Sequence, residues 1–347
     1  MSALKIINVY RRKITKNLFV VNSNKQRKYE TISDSKQIKK ILIVRPNHRL
    51  GNQLLITPLL QEVIKQFPES KIDLFLKGNA GEIIFKNYTE VNKIIALPKK
   101  HFEQLFKYLG CWFYLKRQKY DLVINPMKNS SSGTIATKIT NSKNKFFGVL
   151  NEIETIEKIS DFTHMAKKPV YTLWEELKLV GIHLENKEMP KINIKLDSNE
   201  LAAGKKKLTE ITDTAKEIIC IFTFATNDKC YSKEWWAEFY EKLKTEFKNY
   251  TIIEILPVEN VSQIDFIAPS FYSKDVREIA SVIANTKLFI GADSGMMHLS
   301  SATDTTTIGL FSVTNLNTYQ PYWKNNFGIE TNNKSMAEII EKIKTAI

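Results

Sequence analysis

Short apolar runs alternate with helical stripes, and the alternation starts twice. This restricts the fold more than any single motif. Ile41–Val44, Lys71–Leu76, Asn92–Leu97 and Leu122–Asn125 are apolar, β-branched-rich segments of strand length. Between them, residues 54–67 set Leu55, Leu59 and Val63 on one stripe, widened by Leu60, Ile64 and Phe67. Pro58 fits near a helix start, or moves that start by a few residues. Residues 79–88 and 101–117 also carry helical patterns. Such alternation predicts an α/β domain with a mainly parallel sheet.

The second series has strands at Ile218–Phe224, Thr251–Leu256, Lys287–Ile290 and Thr306–Phe311. Helices are expected over Glu234–Phe247, 274–285 and 334–346. Trp235, Phe239 and Leu243 share a stripe with Trp236, Tyr240 and Phe247 beside it, a pattern that reads as core packing. Residues 129–145 are rich in Ser, Thr, Asn and Lys and read as a loop with a short helix. Residues 167–182 read as a helix that Gly181 helps to end. The polar stretch 185–199 marks a change of domain. With 347 residues, the chain is long enough for two cores.

Net charge is +14, but residues 1–40 hold eleven Lys/Arg and two acids, so +9 sits in that extension. A basic arm can lie on an anionic bilayer, and Ile6–Val21 has the mixed character of an interfacial helix; a solubilising tail is the plainer alternative. No apolar run reaches the roughly 20 residues that span a bilayer. The N-terminus lacks a secretory pattern, which points to the cytoplasm. Cys111, Cys220 and Cys230 form neither a zinc pattern nor a disulfide framework. Nucleic-acid binding is not expected, because the positive charge concentrates in the arm and the aromatics lie on core stripes.

Two loops in the second half carry the chemical signal. Asp293, Ser294 and Gly295 follow a strand and open a helix. Ser294 can cap that helix, Gly295 permits a close backbone approach, and the unpaired N–H groups suit phosphate oxygens. Asp293 suits sugar hydroxyls, and His298 lies one turn along. An ordinary helix start would use the same residues. In Thr223–Tyr231, Lys229 can set a positive charge beside a diphosphate, with Thr226 and Asn227 as shorter hydrogen-bonding groups. A capped surface turn would look similar.

Three stretches together carry a resemblance: "ILIVRPNHRLGNQLLITPLL", "FTFATNDKCYSKEWWAEFYEKL" and "VREIASVIANTKLFIGADSGMMHLSSATDTTTIGLF". Over residues 39–330 the chain resembles glycosyltransferase family 9, the ADP-heptose:lipopolysaccharide heptosyltransferases. The resemblance implies a GT-B fold, with two Rossmann-like domains facing across a cleft. With the basic extension over 1–39 set apart by its charge and a final helix over 331–347 that can pack back across the domains, it implies an acceptor domain over 40–184 and a nucleotide-sugar domain over 185–330. It implies inversion at the anomeric carbon, no catalytic metal and no cofactor beyond the donor, expected to be ADP-heptose. Asp293 then matches the acid that holds donor sugar hydroxyls. Ser294, Gly295 and His298 match the donor loop and its helix. Lys229 matches the basic residue beside the donor phosphate, Thr226 lies in the same loop, and Glu259 matches loosely the acid that contacts ribose.

The chain departs from the family in the first loop. The family has glycine, then the aspartate expected to be the base, then apolar residues and T-P. Here Gly51, Thr57 and Pro58 match, but Asn52 stands where the acid is expected, and an amide cannot take the proton. His48 is a candidate base, since imidazole titrates near 6.5. Asp73 or another carboxylate is a second, and slow or absent transfer is a third. Arg45 and Arg49, beside Gly51, are candidates for acceptor phosphates, with Lys128, Lys138, Lys143 and Lys145 on the same domain. The expected reaction is inverting transfer of heptose to an anionic lipopolysaccharide-core or related glycolipid. The expected place is the inner face of the inner membrane, reached through residues 1–40. Another nucleotide sugar, or noncatalytic nucleotide-sugar binding, are the alternatives.

Overall fold

The computed structural model describes residues 29–100, 102–127, 130–148, 159–213 and 215–347. The proposed interfacial segment Ile6–Val21 and Lys128 lie outside the described residues.

The first half alternates β1 (Lys40–Val44), α1 (Leu50–Leu54), α2 (Thr57–Gln66), β2 (Lys71–Lys77), α3 (Ala80–Ile84), β3 (Val91–Leu97), α4 (Leu105–Arg117), β4 (Lys119–Ile124), α5 (Ser131–Ile139) and β5 (Asn141–Phe146). The strands pair in parallel in the order β3-β2-β1-β4-β5. β1 is the innermost strand, and its apolar run Ile41–Val44 is wholly buried, as a strand covered on both faces requires. The helix expected over 54–67 is two helices. Pro58 sits at the start of the second, where its missing N–H costs nothing, and α1 occupies the turn before it.

After α6 (Lys167–Leu179), which packs on α2, a linker leads to α7 (Ser198–Ile211). The second half then runs β6 (Glu217–Phe222), α8 (Lys233–Glu246), β7 (Tyr250–Ile255), β8 (Ser270–Phe271), α9 (Val276–Ala284), β9 (Leu288–Ala292), α10 (Gly295–Ser301), β10 (Thr306–Phe311), α11 (Leu316–Tyr319), β11 (Phe327–Glu330) and α12 (Met336–Lys344). Its parallel order is β11-β10-β9-β6-β7-β8. In both sheets the strand order reverses beside the first strand. The crevice at the carboxyl edge of such a switch point is where doubly wound sheets bind ligands.

The aromatic stripe of α8 is packing, as expected. Trp236 and Phe239 are fully buried in the cluster that also takes Ile339, Ile340 and Ile343 of α12. The final helix therefore does not return across the two halves: it lies on α8, with Lys344 2.8 Å from Glu246. Two elements differ from expectation. The polar stretch Asn141–Phe146 is an edge strand, in which Asn144 receives the Glu30 N–H (2.9 Å) and donates to its carbonyl (3.0 Å). Residues 198–211 are a helix begun by a capping box between Asp197 and Glu200.

Candidate active site

The loop after β1 meets the loop after β9 where the two carboxyl edges face each other. Gly51 is in α1 and Gly295 opens α10. A Cβ on Gly51 would stand 2.7 Å from His298 Cδ2 and 3.4 Å from the Gly295 Cα. A Cβ on Gly295 would stand 3.5 Å from the Gly51 nitrogen. The two glycines let the halves approach backbone to backbone at this point.

On the second half, Asp293 is 4% exposed and its Oδ2 lies 2.6 Å from Lys229 Nζ. The Thr314 hydroxyl donates to the same carboxylate oxygen. Ser294 caps α10 by accepting the Met297 N–H at 3.4 Å. Lys229 ends the single turn Asn227–Lys229, in which Asn227 takes a left-handed φ of 57°. Its ammonium lies 5.9 Å from the centre of the Tyr319 ring. His298 is buried, and its Nδ1 has no hydrogen-bond partner among the described residues. Burial, with the proximity of His164 and Lys229, pushes its imidazole down to about 4 against the opposing pull of Asp293.

On the first half, Arg45 is nearly buried and donates through Nη2 to Asn52 Oδ1 at 3.1 Å. Burial lowers its guanidinium to about 10, partly offset by Tyr319, so it stays charged at neutral pH. His48 and Arg49 are exposed in the same loop. The His48 imidazole is lowered by partial burial and then by Lys77, Lys99 and Arg49, which keeps it neutral near pH 7.

Asp73 is not at this edge. It is the third residue of β2, fully buried, and accepts from Asn92 Nδ2 at 2.8 Å and the Tyr120 hydroxyl at 2.7 Å. Its role is to hold neighbouring strands near the far end of the sheet, which removes it as a base. Lys143 pairs with Glu30 at 2.8 Å and Lys145 donates to the Lys138 carbonyl at 3.0 Å, on the edge strand β5 and the helix before it. Thr226 and Glu259 are exposed at the carboxyl edge of the second sheet, Glu259 in the turn after β7.

The sequence reading missed Thr314, Tyr319 and His164. Tyr319 stands among Arg45, Lys229 and His298, its ring centre 6.3 Å from the His298 ring. His164 reaches from the first half to the Gln320 carbonyl at 2.9 Å, while the Met165 N–H donates to the Thr318 carbonyl at 3.0 Å. These bonds seat α11 against the first half. The stretch "NTYQPYW" after the β10 strand was the available signal.

Known proteins share this fold. A model of glycosyltransferase family 9 (heptosyltransferase) matches residues 111–345. Lipopolysaccharide heptosyltransferase 3 of Escherichia coli is 22% identical over 298 residues, covering 80% of this chain and 84% of that protein. A glycosyltransferase family 9 structure from Veillonella parvula superimposes with a TM-score of 0.70 at 17% identity, over 89% of this chain and 97% of that one. The E. coli heptosyltransferase WaaC with ADP gives 0.63 at 16% identity, over 89% and 100%. The two facing parallel sheets are a GT-B fold. The chain belongs to glycosyltransferase family 9, the heptosyltransferase family.

Proposed function

We propose that this protein is an inverting glycosyltransferase that moves heptose from ADP-heptose to a lipopolysaccharide core or a related anionic envelope glycolipid, at the cytoplasmic face of the membrane. The observation that carries the reading is the Lys229–Asp293 pair, 2.6 Å apart, set opposite Arg45 and Asn52 across the Gly51–Gly295 contact. The family and the ADP named in the WaaC structure support the donor.

In a single displacement the acceptor hydroxyl oxygen attacks the anomeric carbon. The bond from that carbon to the β-phosphate oxygen breaks, and ADP leaves with the electron pair. Asp293 accepts hydrogen bonds from the sugar hydroxyls. Lys229 meets the charge that grows on the departing diphosphate without help from a metal, in a site that closure makes dry. Thr226 and Glu259 border the nucleotide, Glu259 toward the ribose. Arg45 and Arg49 hold the acceptor's anionic groups. The acceptor proton falls to His48, the titratable side chain of the loop in which Asn52 has replaced the acid, and imidazole that is neutral near pH 7 can accept it.

One observation favours a second reading, noncatalytic binding of a nucleotide sugar: Asn52 is an amide already bonded to Arg45. Incubation with ADP-heptose and a pool of truncated core glycolipids, read by product mass, separates the two. A heptose-sized increase that His48→Asn abolishes supports transfer. Donor binding by calorimetry, with no product until Asn52→Asp is introduced, supports the second reading. No binding and no product would direct the search to another nucleotide sugar.

A further inference from the structure

α4 has two apolar faces, and among the described residues it packs one of them. Tyr108, Cys111, Trp112 and Leu115, at the spacing of a core stripe, turn inward; Leu115 is fully buried and the Trp112 ring lies 5.4 Å from Phe75. The outer face carries a second stripe. Phe106 is 92% exposed, Phe113 62%, and Leu105 and Leu109 nearly half. A helix that is apolar all round is ordinarily enclosed on every side. A contiguous exposed apolar patch of this kind marks an interaction surface.

The charges beside the stripe identify its partner. From residue 99 to residue 119 the chain has six Lys/Arg and one acid. That acid, Glu103, is paired with Lys100 at 2.8 Å. Lys99, Lys107, Lys116 and Arg117 are exposed around the helix. Apolar side chains flanked by cations complement the boundary between the acyl chains and headgroups of an anionic bilayer. No helix among the described residues is long and apolar enough to cross a membrane, so such a surface would lie on the bilayer rather than in it.

We propose that the outer face of α4 is a membrane-docking surface, with Phe106, Leu109 and Phe113 entering the interface of an anionic bilayer and the flanking lysines meeting the lipid charge. α4 leaves the first sheet at the carboxyl edge of β3, the edge that carries the Arg45–Arg49 loop. Lys99, just before it, acts electrostatically on His48. Docking by α4 therefore presents the basic rim of the cleft to the membrane surface, where a lipid-linked acceptor has its headgroup. That consequence rests on the proposed transfer; the docking itself does not.

The test uses the full chain and sucrose-loaded vesicles of phosphatidylcholine with or without phosphatidylglycerol, free of any glycolipid. At about 0.5 M NaCl the Debye length is only a few ångström, so attraction from residues 1–28 is screened while apolar insertion persists. The expected result is sedimentation of the wild type under these conditions, stronger with phosphatidylglycerol at low salt. In the Phe106→Asp/Phe113→Asp variant the partition constant falls about tenfold or more, with an unchanged melting temperature. As a second readout, Phe106→Trp adds an emission component that shifts to the blue with vesicles and is quenched by brominated lipid. Equal sedimentation of wild type and double variant, or an emission component of Phe106→Trp that vesicles leave unshifted, overturns the proposal. So does a wild-type dimer that the double variant converts to monomer while neither binds vesicles, which would assign the face to a second copy.

Discussion

Replacing Arg277 with methionine should loosen the junction between the two halves. Arg277 is on α9, 5% exposed, and all five guanidinium donors are used. Nε and Nη2 reach the two oxygens of Glu200 at 2.5 and 2.7 Å. The others bond the carbonyls of Ile83 at 3.1 Å, Ile194 at 3.0 Å and Lys195 at 2.9 Å. One side chain therefore joins α3 of the first half, the linker, and the start of α7. Glu200 is lowered from 4.5 to about 2, chiefly by its bond to Arg277. A depressed carboxylate adds stability above its unfolded pKa and loses it as pH falls toward the folded one. At 1.36 kcal/mol per unit this is worth about 3 kcal/mol at pH 7, of which about 2 are gone by pH 3. Breaking a buried pair from one side costs 3–5 kcal/mol by general experience, the same order. Urea unfolding of wild type and Arg277→Met, followed by two probes at several pH values, should give a difference of about 3 kcal/mol at pH 7 that narrows toward pH 3. A difference below about 1 kcal/mol at pH 7, or one that does not change with pH, would refute the account.

Gly51→Ala places a Cβ 2.7 Å from the buried His298 ring, so α1 and α10 must part slightly. The expected cost is about 1–2 kcal/mol in denaturant unfolding, with a drop in transfer rate because both loops of the cleft are displaced. Lys229→Met should lower turnover by about two orders of magnitude with a smaller effect on donor affinity, read from kcat and KM on the same core-glycolipid pool. His164 is held neutral by burial, its pKa lowered to about 4 from 6.5. The unfolded chain takes that proton first, so stability is constant above pH 6.5 and falls by up to about 3 kcal/mol between 6.5 and 4. His298 titrates in the same window, so His164→Asn should flatten this slope without abolishing it, as urea midpoints against pH would show.

The strands that place the site were legible because they are buried on both faces. The runs read as strands at Ile41–Val44, Ile218–Phe224 and Lys287–Ile290 overlap β1, β6 and β9, and the loops that follow those strands hold Arg45, Lys229 and Asp293. The strand β5 was not legible, because "NSKNKF" has one neighbour strand and an asparagine whose partner, Glu30, is 114 positions away. Arg277 was hidden for a similar reason. Its helix has a strong apolar pattern, and the partner that makes a buried cation tolerable there is 77 residues earlier. Glu200 did carry a local signal, the D-S-N-E start of α7. Tyr319 and Thr314 carried little: a four-residue helix has no periodicity, and only the fold brings Thr314 to Asp293 and Tyr319 to Lys229 and His298.

Asn52, where the resemblance leads to an acid, bears on the charge of the cleft as well as on the proposed proton transfer. An aspartate in place of Asn52, at the distance Asn52 now keeps from Arg45, would form an ion pair with it and cancel that cation on the first half's side of the cleft. With the amide, Arg45 is charged at pH 7 and receives only a neutral oxygen from Asn52. On the opposite wall Lys229 is already balanced by Asp293. The wall that carries Arg45 is thus more positive by one unit than an aspartate would leave it, and Lys77, Lys99 and Arg49 add to the same rim around His48. In the proposed transfer, such a wall favours an acceptor that brings its own negative charge, a phosphorylated sugar or lipid headgroup. An anionic acceptor entering beside His48 in that transfer would oppose the field that lowers its imidazole and make it a stronger proton acceptor when the substrate is in place.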